Sequence, residues 1–401
     1  MITPSLSLDF TIPALPSNIT FNRADNTATT INSSGYIESV LADAPRFSYD
    51  PITLMPQGLL IEEARSNLFP TSVTFASWTK TRCSVVASSP AVLGPDNVTT
   101  AYKWTEDTSP TTTRQISSNT LIAGSNQRTY SFFAKAAERF ILKVERTSSF
   151  IGFFSHTFNL QTGTASGGGK IEPYKDEWYR CSGQFAPTQS SAGGIIIAVA
   201  DANGNFSYTG DGTSGLYLFG AQGEDGSFVT SYIPNSGTTA VTRNADVATI
   251  TGTNFSDFWQ AGFGGATVRA LPSTVSGIRP LLQFDDGTSN EIIALRGNTT
   301  NPELYIVDGG APQAQIDAGT IAANTAYSLT GWWAANDCKA RKDSGAVVTD
   351  TTATIPTVTQ ARLGSDGTNY LNGHLATINY YDQFSGQIYN RRKNKVIFTV
   401  I

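Results

Sequence analysis

Two neighbouring stretches, Tyr130-Ser-Phe-Phe-Ala-Lys135 and Phe140-Ile-Leu-Lys-Val-Glu-Arg146, decide how the chain is to be read. One parity carries Tyr130, Phe132, Ala134, Phe140, Leu142 and Val144. The other carries Ser131, Lys135, Lys143 and Glu145. Side chains of an extended segment alternate between its two sides, so this pattern predicts strands with one buried and one wet face. The same reading extends outward to His156–Leu160, Trp178–Phe185, Gly194–Ala200 and Gly215–Ala221. Turn signals lie between them at Gly167-Gly168-Gly169, Asn203-Gly204-Asn205 and Gly210-Asp211-Gly212. A second strand-rich block follows Pro234-Asn-Ser-Gly237, with Ala266–Leu271, Pro280–Phe284, Glu291–Arg296, Glu303–Val307, Tyr327–Trp333 and Ala376–Tyr381. Helical periodicity is scarce, and the one short helix expected is Leu59–Arg65. The fold class expected is all-β, with tandem β-sandwich or jelly-roll domains behind an N-terminal segment.

Composition narrows the function. The chain has 401 residues, enough for two or three cores. Only 15% of residues are charged and 11% are aromatic, which excludes disorder and gives an extracellular-looking surface of Thr, Ser, Asn and Gly. The net charge of −5 and the lack of a long basic run before Arg391, Arg392, Lys393 and Lys395 argue against nucleic-acid binding. Those four residues read as a solvated terminus. Nothing approaches a membrane span, and Met1-Ile2-Thr3-Pro4 lacks the basic and apolar regions of a signal peptide. Release by lysis fits that combination. Cys83, Cys181 and Cys338 are too few and too scattered for a disulfide framework or a metal knuckle, so they read as small buried hydrophobes.

No catalytic constellation emerges. Two carboxylates facing across a groove would be needed for glycoside hydrolysis. The adjacent pairs Glu62/Glu63, Glu224/Asp225 and Asp285/Asp286 would point to opposite sides of a strand, and surface or turn roles are expected for them. His156 and His374 lie in no HxxxH or HExxH spacing and are expected to be structural. For binding, parity in Tyr327-Ser-Leu-Thr-Gly-Trp-Trp333 sends Trp333 to the core and Trp332 outward, toward a ligand, a partner or the adjacent domain. Lys339 and Arg341 share one face of the following strand with Asp337 and Asp343. Trp332, Lys339 and Arg341 are therefore the candidate ligand or interface residues. No catalytic residue or cofactor is expected. The oxygen-rich turns Asp201–Asn205 and Gly210–Gly212 leave a structural calcium open, although tight turns require the same residues.

Three stretches carry a resemblance. The first runs through Phe21-Asn-Arg-Ala-Asp25, Pro45-Arg-Phe-Ser-Tyr-Asp-Pro51 and Gly58–Leu68, followed by Ala76-Ser-Trp-Thr-Lys80. The second is Asp211–Gln222 with Gly226–Pro234 and Val241-Thr-Arg-Asn-Ala-Asp246. The third is Trp333–Asp337 and Val347–Asp350 with Tyr370-Leu-Asn-Gly-His374. Together they resemble structural proteins of tailed bacteriophages, of the tail-fibre or head-fibre type. The middle resembles a carbohydrate-binding-module-like jelly roll and the end a concanavalin A-like, laminin-G-like domain. The resemblance implies a virion-docking segment over 1–70, a jelly roll over 71–237 and a β-sandwich over 238–401. It further implies a non-catalytic virion protein, bound to other virion proteins and contacting host surface glycan. Residues 1–70, poor in regular pattern and short of core, would need partners to order them, so an oligomer is expected, most simply a trimer; neither nucleic acid nor membrane insertion is expected. A tail fibre is the first location; a capsid head fibre or decoration protein is the alternative, and an envelope-polysaccharide depolymerase is the alternative activity. The C-terminus departs from the pattern. Where an apolar helical tail is usual, Val396-Ile-Phe-Thr-Val-Ile401 reads as a strand able to pair within its own sheet or with a neighbour's edge.

Overall fold

A computed structural model describes residues 3–118, 127–146, 154–186 and 194–383. The basic residues 391–395 and the terminal stretch 396–401 lie outside the described residues. Among those described, the chain is all-β: its helix is the single turn Thr253–Ser256, and antiparallel strands make up the rest of the regular structure.

The alternating stretches pair as their parity demands. Tyr130 lies opposite Gly183 and Phe132 opposite Cys181, while Leu142 faces Phe158 on one side and Val199 on the other. Two six-stranded sheets result. Between them Trp104, Tyr130, Phe132, Leu142, Val144, Phe158, Ile197 and Leu218 form one core. The second block closes in the same way. A sheet of eight strands, with Phe263–Pro272 and Gly373–Tyr381 at its centre, packs on a sheet of seven. Leu282, Phe284, Leu295, Leu304, Leu329, Trp333, Ile378 and Tyr380 fill the space between them.

Two expectations fail here. Residues 56–61 form a strand rather than a helix, and Arg65–Asn67 forms another. The run Leu59-Leu60-Ile61 is apolar at every position because both sides are covered. Leu59 and Ile61 enter the sandwich core, and Leu60 lines a cleft on the other side. Continuous apolar runs fit either period, which is why the sequence misleads at this point. Gly58 shows how closely this strand docks. Its φ is +110°, and a Cβ there would stand 2.1 Å from the carbonyl oxygen of Leu375. Gly58→Ala is accordingly expected to lower the unfolding free energy by about 3 kcal/mol, read from urea denaturation.

The N-terminal stretch is also not a separate segment awaiting partners. Leu6–Asp9 pairs with the strand Gly373–Tyr381, Thr20–Asn22 pairs with Val247–Thr251, and Pro56–Ile61 pairs again with Gly373–Tyr381. Leu8, Phe10, Ile19 and Phe21 join the C-terminal core. These residues are short of core only when counted alone, since their partners lie hundreds of positions away. The hairpin Ala28–Ile31/Ile37–Val40 leans on the jelly roll instead. Ile37 packs with Phe133, Trp178, Phe219 and Tyr232 there, so the side of Tyr130–Lys135 expected to be wet is covered, with Ser131 and Phe133 each 1% exposed.

Candidate functional site

The motif stretches that were separate in the sequence converge on one buried knot of charge. Asp246, at the start of the C-terminal block, accepts from Arg23 at 3.2 Å and pairs with Arg46 and Arg243. Glu62 accepts from Arg46 at 2.7 Å and forms an ion pair with Arg243 at 3.2 Å, and its own amide donates to Asp246 at 2.9 Å. Ser231, from the end of the jelly roll, donates to Glu62 through both its amide and its hydroxyl. Asn372 clasps Glu63 from the far end of the chain, donating to its carboxylate at 3.0 Å and accepting from its amide at 2.9 Å. Burial alone would push the Glu62 carboxyl up, but Arg243 and Arg46 overcome that and hold it far below the usual range. The knot ties the N-terminal strands, the jelly roll and the C-terminal sandwich to one another.

Each acidic pair is divided in two. Glu62, Glu224 and Asp285 are buried and Glu63 is half-buried, while Asp225 and Asp286 are exposed. Glu224 accepts from Thr230, and Asp285 accepts from Arg362 at 2.9 Å and from two glutamines. The surface and turn roles expected of all six acids therefore hold only for the exposed partners. The buried ones answer specific donors, as buried carboxylates must. His156 accepts or donates at Nδ1 with the Tyr130 hydroxyl at 2.7 Å inside the jelly-roll core, and burial lowers its pKa. Asp201 and Asp211 each close their own turn. Asp211 takes the amides of Thr213 and Ser214 at 2.8 and 2.7 Å, and bonds to the side chain and amide of Ser214 hold its carboxyl well below normal. Among the described residues no three His, Cys, Asp or Glu side chains gather as a metal site. Cys83, Cys181 and Cys338 are unpaired thiols.

The three residues singled out for binding come together. Trp332 lies opposite Lys339, and Thr330 lies opposite Arg341, on neighbouring strands of the eight-stranded sheet. All three candidates are half-buried, and Trp333 is fully in the core as its parity requires. The guanidinium of Arg341 stands 5.6 Å from the centre of the Trp332 ring, and Lys339 pairs with Asp337. Two further members were not legible beforehand. On its other side Trp332 faces Gly265, and Gly265 in turn faces Tyr381. Strands in a sheet lie about 4.8 Å apart, which sets the backbones of Trp332 and Tyr381 about 10 Å apart on either side of Gly265. Thr267, Asn379 and the exposed Arg269 continue this outer face. By register this face is a trough: aromatic residues flank a buried glycine, with hydroxyl and amide groups beyond it and cations at its end.

A second concavity lies where the three parts of the chain meet. The Tyr49–Thr53 turn, the outer side of the jelly roll at Phe133 and Arg180, and His374 of the C-terminal sheet enclose about 640 Å3. His374 has both ring nitrogens out of reach of solvent and without a partner, and burial lowers its pKa to about 4.

No family model and no curated protein matches the sequence. Among solved structures the chain is similar to domains LG4-5 of the mouse laminin alpha1 chain, at 11% identity and a TM-score of 0.23, covering 64% of this chain and 81% of that one.

Proposed function

We propose that the chain is a non-catalytic structural protein of a tailed-phage particle that contacts host surface glycan through the open face around Trp332. The observation that carries the contact is the Trp332–Gly265–Tyr381 trough with Arg341 and Lys339 beside it. Aromatic side chains offer flat apolar faces to sugar C–H groups, while neighbouring amides, hydroxyls and cations order the hydroxyls. The particle assignment is supported by the tail-fibre-like stretches, whose Arg23, Arg46, Glu62, Arg243 and Asp246 make up the buried knot. A holding role is supported by the acids. Glu62, Glu224 and Asp285 are each committed to donors within the protein, which leaves them poorly placed to protonate a leaving group.

Two measurements test this reading. Gold-labelled antibody against the chain should decorate intact particles, at the tail for a fibre and over the capsid for a head fibre; a particle preparation free of label rejects the assignment. Trp332→Ala should weaken retention of host envelope polysaccharide at least tenfold while leaving the far-ultraviolet spectrum unchanged, since Trp332 faces away from the core. Undiminished retention would reject the contact.

A further inference from the structure

The trough at Trp332 does not account for the cleft between the three parts of the chain. Its volume of about 640 Å3 falls within the roughly 300–1,000 Å3 of small-molecule sites, which favour such junctions. The charges on its walls are already answered. Glu62 is held by Arg46 and Arg243. Arg180 donates to the Ser131 hydroxyl at 3.0 Å and the Thr230 carbonyl at 2.8 Å, and it stands over the Phe133 ring. Asp50 takes the amides of Ile52 and Thr53 in its own turn at 3.0 and 2.7 Å. Lys170 and Glu172 stand two apart on one strand as opposite charges. An ionic ligand would find no field of a single sign to replace its hydration.

What the cleft does offer is short-range polarity and rings. Tyr49 and Tyr174 present aromatic surface, while the half-buried Gln57 presents an amide able to donate and accept. We propose that this cleft binds a neutral, hydroxyl-rich oligosaccharide, at a site separate from the trough at Trp332. Hydroxyls, being donors and acceptors at once, match such a lining, and the C–H faces of sugar rings match the tyrosines. The proposal shares the glycan reading above but rests on different residues, so either can fail alone.

The test uses the full chain, calorimetric titration, and neutral hexasaccharides of glucose, mannose, galactose and N-acetylglucosamine, with a hexagalacturonate as the acidic comparison. At least one neutral hexasaccharide should bind. Tyr49→Ala and Gln57→Ala should each weaken that binding about tenfold without moving the thermal midpoint, and Trp332→Ala should leave it unchanged. Two substitutions on different strands guard against a single local misfolding. The proposal is overturned if no neutral hexasaccharide binds at millimolar concentration, if binding survives both cleft substitutions, if it disappears in Trp332→Ala, or if hexagalacturonate binds the cleft more tightly.

Discussion

Asp246→Ala is expected to lower the unfolding free energy by about 3–5 kcal/mol, the cost of removing one partner from a buried ion pair. The reasoning is local. Asp246 is fully buried, and its two carboxylate oxygens serve Arg23, Arg46 and Arg243 together with the amide of Glu62. Without it, Arg46 and Arg243 would be left with Glu62 alone, Arg23 would lose its buried carboxylate partner, and the Glu62 amide would lose its acceptor. Asp246→Asn keeps the shape and one acceptor oxygen, so it should fall between wild type and alanine. Asp286→Ala, on an exposed turn, should stay within about 0.5 kcal/mol of wild type. Urea denaturation followed by tryptophan fluorescence reads all three. An Asp246→Ala protein as stable as wild type would mean that the knot contributes nothing to holding the three parts together.

Acidification should weaken the fold in two stages. His374 has a folded pKa of about 4 against an ordinary value of 6.5, because burial disfavours its charged form. Between those values the unfolded chain binds a proton that the folded chain does not. Stability therefore falls as pH drops from 6.5 to 4, by up to about 3 kcal/mol at 1.36 kcal/mol per pH unit. Glu62 acts lower down. Its carboxyl is depressed in the fold, so its contribution is complete above its ordinary value of 4.5 and is lost as pH falls further. His374→Gln should reduce the slope of the first stage to the share of His156, whose pKa burial also lowers, and leave the second. Denaturation midpoints from pH 7.5 to 3.5 separate the two, and an unchanged slope between pH 6.5 and 4 in His374→Gln would remove His374 from the account.

The fold class was readable because alternation is a local signal. Leu142 and Val144 against Lys143 and Glu145, or Trp333 against Trp332, need no knowledge of partners to be placed on opposite sides of a strand. Ser131 departs from the expected wet face for the converse reason: Arg180 bonds its hydroxyl, a hairpin about a hundred residues earlier covers the neighbouring Phe133, and nothing near residue 131 announces either. Leu59–Ile61 misled because burial on both sides erases the period that separates strand from helix. Part of the trough was legible, since parity alone turned Trp332 outward and placed Lys339 with Arg341. Gly265 and Tyr381 were not, because cross-strand register between residues 265, 332 and 381 is a property of the closed sheet. The cleft was hidden for the same reason, its walls coming from all three parts of the chain. Glu62 carries one sequence signal: a carboxylate directly after an apolar run is drawn into burial with it and must then find a cation.

The proposed contact requires the outer face of the C-terminal sheet to hold glycan without cleaving it. Incubating the full chain with envelope polysaccharide purified from the host, and following both retention of the polymer and the appearance of new reducing ends, tests that requirement most directly. The account predicts retained polymer of unchanged length with wild type and at least tenfold weaker retention with Trp332→Ala. New reducing ends that accumulate with time and enzyme-like dependence on protein concentration would contradict it.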